Sequence, residues 1–124
     1  MKERFEELFK ILKLDRKVSP WSQRDTFEKR HSELVKEIEE IKLAIQNKDT
    51  ENLKEEIGDS LWDLMCVMVV AEEKELFTAK EVIEGAIEKI KRRKPWIFTG
   101  EKITIEDEAR LWQIAKAKEK QNKQ

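Results

Sequence analysis

Two pairs of acidic residues could do metal chemistry. Glu37 and Glu40 are three residues apart, and so are Glu56 and Asp59 further along the chain. Side chains three residues apart on a helix project from the same face, so each pair can present two carboxylates to one point between two helices. Oxygen ligands without nearby histidine or cysteine suit Mg²⁺ or Mn²⁺ better than zinc. Asp63 continues the second pair one turn further on.

The same spacing also has an ordinary explanation. Asp and Glu make up 27 of the 124 residues, so acidic pairs three apart arise by chance, and most such residues lie on solvated faces. Asp59 and Asp63, however, stand at the entry to and inside the most apolar segment of the chain, where an unpaired carboxylate is costly. From the residues alone, a metal site and a solvated or salt-bridged face both stay open.

A basic cluster follows later in the chain, at Lys89 and Lys91–Lys94. Cations beside a metal-binding acidic patch are what a polyphosphate substrate needs, because they hold the oxygens that the metal does not reach. The same cations would also be favoured at a helix C-terminus by the helix dipole, without any ligand. Both interpretations stay open.

Five helices are predicted to position these residues, from hydrophobic periodicity and capping residues. The first covers about residues 2–14 and is followed by a loop at 15–25. The third helix is apolar nearly all the way round between Leu61 and Ala71, which indicates the centre of a bundle or a subunit interface. The second helix has a cap at Asp25 and an end near Asn47, and the third has a cap at Thr50 and an end near Glu75. The fourth has a cap at Thr78 and a stop at Pro95, and the fifth starts at Thr104.

The composition is typical of a single all-α domain of residues 1–124, with a frayed tail at 119–124. The chain has only 3 Gly, 2 Pro and no Tyr, which argues against an all-β fold. Its 26 basic and 27 acidic residues nearly cancel, so no long-range field favours nucleic acid or a membrane surface. The one cysteine, Cys66, lies in an apolar run, and no segment resembles a signal peptide or a membrane span. We therefore expect a cytoplasmic protein.

Five ordered blocks together resemble a MazG domain, of the all-α nucleoside triphosphate pyrophosphohydrolases. The resemblance runs from about residue 18 to 118. Its blocks are SPWSQRDTF at 19–27, Lys36-Glu37-x-x-Glu40, EEIGD at 55–59, RRKPWIF at 92–98 and Trp112-x-x-x-Lys116.

The resemblance implies a four- to five-helix bundle whose helices pack between subunits of a dimer or higher oligomer. It also implies hydrolysis of a nucleoside triphosphate to the monophosphate and pyrophosphate. Two sets of site residues are implied. The Mg²⁺ ligands would be Glu37, Glu40, Glu56 and Asp59, and the nucleotide would be bound by Lys89, Arg93, Trp112 and Lys116.

The implied mechanism is attack by a metal-activated water, with pyrophosphate leaving. Glu37 and Glu40 are both candidates for accepting the proton of that water. Mn²⁺ is a candidate substitute for Mg²⁺, and Trp21, beside a proline in a loop, is a candidate for base stacking as well as for the core.

The chain also departs from the family pattern. Lys36 stands where the family usually has the first Glu of its motif, and Glu33, one turn earlier, is a candidate to compensate. The alternative hypothesis is therefore a catalytically degenerate bundle that binds a nucleotide or a partner. Phosphoribosyl-ATP pyrophosphohydrolases and dimeric dUTPases use similar acidic pairs, but the proline-containing blocks favour MazG.

Overall fold

The computed structural model describes residues 1–123 and confirms the all-α class. No strand occurs within that range. One 3₁₀ turn lies at Ser22–Arg24, and a one-turn helix follows Pro95. The six α-helices are α1 (Lys2–Val18), α2 (Phe27–Gln46), α3 (Thr50–Glu73), α4 (Ala79–Arg93), α5 (Trp96–Thr99) and α6 (Ile105–Asn122).

The chain divides into two compact units. The first unit is Met1–Ala79 and contains α1, α2 and α3, while the second begins at Lys80 and takes in the rest of α4 together with α5 and α6. The single domain predicted for residues 1–124 stays a prediction. None of the helices within residues 1–123 is long and apolar enough to cross a membrane.

The core of the first unit lies between α1 and α3. Leu12 of α1 is fully buried against Met65, Cys66 and Val69 of α3. The three α3 residues belong to the apolar run that the sequence places in the third helix. Full burial of such side chains stabilises a fold by about 1.5–3 kcal/mol each, so this contact fixes α1 on α3.

The helices α2 and α3 form a hairpin, and both begin at a side-chain cap. Thr26 Oγ1 accepts a hydrogen bond from the Lys29 amide, and Asp49 Oδ1 accepts one from the Asn52 amide, each at 3.1 Å. The caps predicted at Asp25 and Thr50 are therefore wrong by one residue. Lys48, in the turn between the helices, has a φ of 54°, in the left-handed region that lets the chain reverse within three residues.

The first helix is longer than predicted, because residues 15–18 continue it. Arg16 in this last turn donates to Glu73 of α3, with Nε 3.0 Å from Oε1, and also to the carbonyl oxygen of Ser22. Its guanidinium thus ties the end of α1 to the end of α3. Glu73 lies 57 residues from Arg16 in the sequence, so local periodicity carries no sign of this pair.

The last helix also extends beyond the prediction. The tail expected to fray from residue 119 is helical as far as Asn122, and Gln124 lies outside the described residues. Glu119 accepts hydrogen bonds from Arg92 at 2.6 Å and from Arg93 at 2.8 Å. Charge-assisted bonds of this kind hold the final turn of α6 against the end of α4.

Candidate functional site

Three of the four predicted metal ligands come together between α2 and α3. Glu37 projects from α2, while Glu56 and Asp59 project from α3 one turn apart. Each offers a carboxylate oxygen within 4.8 Å of those of the other two. We call these three residues the carboxylate cluster. Oxygens on opposite sides of a Mg²⁺ ion lie about 4 Å apart, so small side-chain rotations suffice for the cluster to fit such an ion.

Glu40 lies outside the cluster as the structure describes it. It is exposed on α2, three residues after Glu37. Three residues along a helix leave an offset of about 60° around its axis. The spacing therefore puts both residues on one side of α2 without bringing both carboxylates to the same point.

The cluster concentrates negative charge in a partly buried place. Glu56 Oε2 is buried and has no hydrogen-bond partner among the described residues. The pKa of Glu37 is raised to about 7, first by the hydrogen bond that its protonated form makes with Glu56. Burial and the charges of Glu56, Asp59 and Asp63 raise it further. A proton or a cation relieves this charge.

Asp63, which continues the second acidic pair one turn further on, is engaged elsewhere. Its Oδ1 accepts a hydrogen bond from Arg30 Nη1 at 2.9 Å, and Arg30 Nη2 lies 3.1 Å from Asp25 Oδ1. We call Asp25, Arg30 and Asp63 the ion triad, and the side chain of each is at least nine-tenths buried. Burial raises the pKa of Asp63, and the Arg30 charge opposes that shift.

Neither Arg30 nor a partner for Asp25 was predicted from the sequence. A signal was present, because Arg30 lies between Phe27 and Leu34 on the apolar stripe of α2, and Asp63 lies in the apolar run of α3. Opposite charges at two core-facing positions indicate a buried pair. Using that signal required knowing that α2 and α3 pack side by side.

The structure also shows the surroundings of Lys36, which departs from the family motif. Its ammonium group lies 3.4 Å from the carboxylate of Glu33, which is the residue proposed to compensate for it. Lys36 itself is largely exposed. Glu33 is therefore paired with Lys36 in the structure, and it is not a member of the carboxylate cluster.

The second unit contains the predicted nucleotide-binding residues. The Arg93 guanidinium lies 4.9 Å from the centre of the Trp112 ring, in cation–π contact. Lys89 lines a shallow groove with Arg92, Arg93 and Glu119. Lys116 is exposed on α6, one turn after Trp112. The structure thus brings Arg93 and Trp112 into contact and leaves both lysines on the surface of this unit.

The tryptophans next to prolines differ in burial. Trp96 is buried, and its indole N–H donates to Glu108 at 2.9 Å, which identifies a structural residue. Trp21 is 68% exposed, with the Lys29 ammonium 5.0 Å from its ring centre. Of the two, Trp21 is the one that keeps a ring face available for stacking.

Comparisons with known proteins identify the family of the chain. The family described as the MazG nucleotide pyrophosphohydrolase domain matches residues 25–98, which include the ion triad, the carboxylate cluster and Arg93. A nucleoside triphosphate pyrophosphohydrolase of Mycobacterium tuberculosis is 31% identical over 110 residues, covering 87% of this chain and 34% of that protein. The chain therefore spans about a third of that relative's length.

Two proteins of Thermotoga maritima are also similar. A nucleoside triphosphate pyrophosphohydrolase/pyrophosphatase MazG is 36% identical over 98 residues, covering 76% of this chain and 38% of that protein. The crystal structure of a MazG-related protein superimposes with a TM-score of 0.85 at 35% identity, covering 90% of this chain and 98% of the other. Since the family match covers more than half of the sequence and the fold agrees, the chain belongs to the MazG family.

Proposed function

We propose that the protein is a Mg²⁺-dependent nucleoside triphosphate pyrophosphohydrolase, which releases a nucleoside monophosphate and pyrophosphate. The observation that carries this proposal is the carboxylate cluster, which lies on α2 and α3 within the residues that match the family. The names of the curated relatives support the same reaction. In this role the enzyme would act in the cytoplasm to remove unwanted nucleotides.

The residues of the cluster fit a magnesium ion. Glu37, Glu56 and Asp59 supply oxygen ligands only, and the unpartnered Glu56 Oε2 is the kind of atom that a cation would satisfy. When bound, Mg²⁺ lowers the pKa of a water and neutralises charge on phosphate oxygens. Mn²⁺ has the same ligand preference and serves as its experimental substitute.

The chain's own residues complete the reaction. Glu37 and Glu40 are the two candidates for accepting the proton of the attacking water. Lys89, Arg93 and Lys116 would neutralise the triphosphate, and the Trp112 ring would support the nucleotide. Arg93 is held in place for this role by Trp112 at its face and by Glu119 at its edge.

A product analysis tests the proposal. The purified protein is incubated with a panel of standard and modified nucleoside triphosphates, with and without Mg²⁺, and the products are separated. Monophosphate and pyrophosphate should appear only with the metal. Glu56→Gln should lower kcat by at least about a hundredfold, because it removes a charged ligand from the metal. Glu51→Gln, an exposed residue of the same helix that pairs with Lys54, is the control and should leave turnover unchanged.

A second candidate function follows from Lys36. With a lysine at this position the protein would bind a nucleotide or a partner without hydrolysing it. No turnover in the panel, together with nucleotide binding by a folded protein, would favour this function. Lys36→Glu should then create activity, and a variant that stays inactive would exclude the degenerate-site explanation.

A further inference from the structure

We infer that Arg30 is a positioning residue that holds the carboxylate cluster together by fixing α2 against α3. The inference deepens the proposed function and rests on it for the role of the cluster. Arg30 is buried on α2, where its two terminal nitrogens reach Asp63 on α3 at 2.9 Å and Asp25 before α2 at 3.1 Å. A single guanidinium thus joins both helices and the segment that enters the hairpin.

The register of the two helices connects this ion triad to the cluster. Arg30 lies seven residues before Glu37 on α2, and Asp63 lies seven residues after Glu56 on α3. Seven residues are close to two full helical turns, or about 10 Å. Because the helices run antiparallel, the pairing of Arg30 with Asp63 is in the same register as the approach of Glu37 to Glu56. Fixing one pair therefore fixes the other.

The hairpin needs such a fixed point because the carboxylates of the cluster repel one another. Three carboxylates meet at one point between the helices, and like charges at this distance push α2 and α3 apart. The turn that contains Lys48 fixes the helices at one end. The ion triad, which carries opposite charges, fixes them on the far side of the cluster. The carboxylates are held close between these two fixed points.

The first test measures Mn²⁺ binding to the native protein and to Arg30→Met by electron paramagnetic resonance. The dissociation constant should rise by about tenfold or more, the usual effect of removing support behind a metal ligand. Arg16→Met is the matched control, because Arg16 is equally buried and pairs with a carboxylate, but joins α1 to α3. It should change Mn²⁺ binding less than about twofold. Equal losses in both variants, or no loss in Arg30→Met, would overturn the inference.

The second test needs neither metal nor activity. Urea unfolding at pH 8 compares Glu37→Gln made in the native protein with Glu37→Gln made in Arg30→Met. In the native background the substitution should stabilise the fold, because it removes repulsion. In Arg30→Met the carboxylates can move apart, so Glu37→Gln should raise the folding equilibrium constant by a factor that is smaller, by about threefold or more, than in the native protein. Such a difference exceeds the deviation from additivity found for distant residues.

Whether Glu37→Gln stabilises the fold less or more once Arg30 is removed distinguishes positioning from simple attraction. If Arg30 acted only by attracting Glu37 through space, its removal would make Glu37→Gln more stabilising instead of less. An equal or larger gain in the Arg30→Met background would therefore refute the positioning role. If Arg30→Met leaves no folded protein, Asp63→Asn takes its place, because Arg30 then keeps Asp25 as its charged partner. A native protein that binds no Mn²⁺ would reject the proposed function, while this metal-free cycle would still decide the inference.

Discussion

At the scale of single residues, Glu37 connects the ionisation of the cluster to its proposed use. A carboxyl group must be ionised to bind Mg²⁺, yet its neighbours raise the pKa of Glu37 to about 7. The proton and the metal therefore compete for the same group near neutral pH. The two partners of Glu37 across the helices, Glu56 and Asp59, are what make this competition strong.

We predict that Mn²⁺ affinity depends on pH through Glu37. Below about pH 7 the apparent affinity should fall by roughly tenfold per pH unit, because one proton must leave before the metal binds. Above pH 7 it should change little. Electron paramagnetic resonance titrations between pH 5.5 and 8.5 measure this directly. Glu37→Gln should bind weakly throughout and show a flatter profile, and an unchanged slope in that variant would assign the proton to another group.

A second prediction concerns the metal-free protein. The folded pKa of Glu37 lies above its ordinary value of 4.5, so between pH 4.5 and 7 the folded state holds a proton that the unfolded chain has released. Stability must then fall as the pH rises through this window. Urea midpoints should show this decline in the native protein and less of it in Glu37→Gln. Identical profiles would contradict the raised pKa.

The sequence allowed the prediction of the cluster's residue types but not of all its members. Spacing pointed to Glu37, Glu56 and Asp59, which the structure brings together. Spacing also pointed to Glu40 and Asp63, which do not join the cluster. Glu40 is offset around the axis of α2, and Asp63 pairs with Arg30. The contact between Arg30 and Asp63 joins residues 33 positions apart, and such a contact cannot be predicted from local periodicity.

At the scale of elements, both helices of the hairpin begin where an aspartate stands next to a threonine. Either residue can cap a helix, so the sequence locates each start to within one residue. In α2 the side chain of Asp25 is engaged in an ion pair and is not the cap. Asp25 pairs with Arg30, and Thr26 takes the cap. In α3, Asp49 is the cap. The helices themselves could be predicted from periodicity, whereas these caps could not.

The caps give a prediction for the hairpin. Asp49→Ala should lower the free energy of unfolding by about 1 kcal/mol, the usual cost of losing an N-cap side chain. Thr50→Ala, at the neighbouring exposed position, should change it by less than about 0.5 kcal/mol. Thermal or urea unfolding of the two variants measures both values. The reverse order would place the cap at Thr50.

At the scale of the whole molecule, α4 leaves large apolar side chains exposed. Val82, Ile83 and Ile87 of α4 are each more than a third exposed. These side chains recur at helical spacing and form one apolar stripe along α4. Its exposure is consistent with the proposed homo-oligomer, in which helices of different copies pack on one another, and the packing itself could not be predicted from one chain.

We predict that a charge on this stripe disrupts assembly. Ile87→Glu should shift the protein to a smaller species in sedimentation velocity, because burial of a carboxylate in an apolar interface is costly. Glu88→Gln, at the next position on α4, is the control and should leave the sedimentation coefficient unchanged. A native protein that sediments as a monomer would contradict the proposed assembly, and so would an Ile87→Glu variant that assembles normally.

The exposed stripe of α4 has a consequence for how much folded protein a cell contains. If a second copy covers Ile83 and Ile87, part of the free energy of folding is gained only when two chains meet. The folded fraction then follows the law of mass action and rises with the total amount of the chain. Dilution alone would lower the melting temperature. Synthesis rate would set not only how many molecules are present but also what fraction of them is folded.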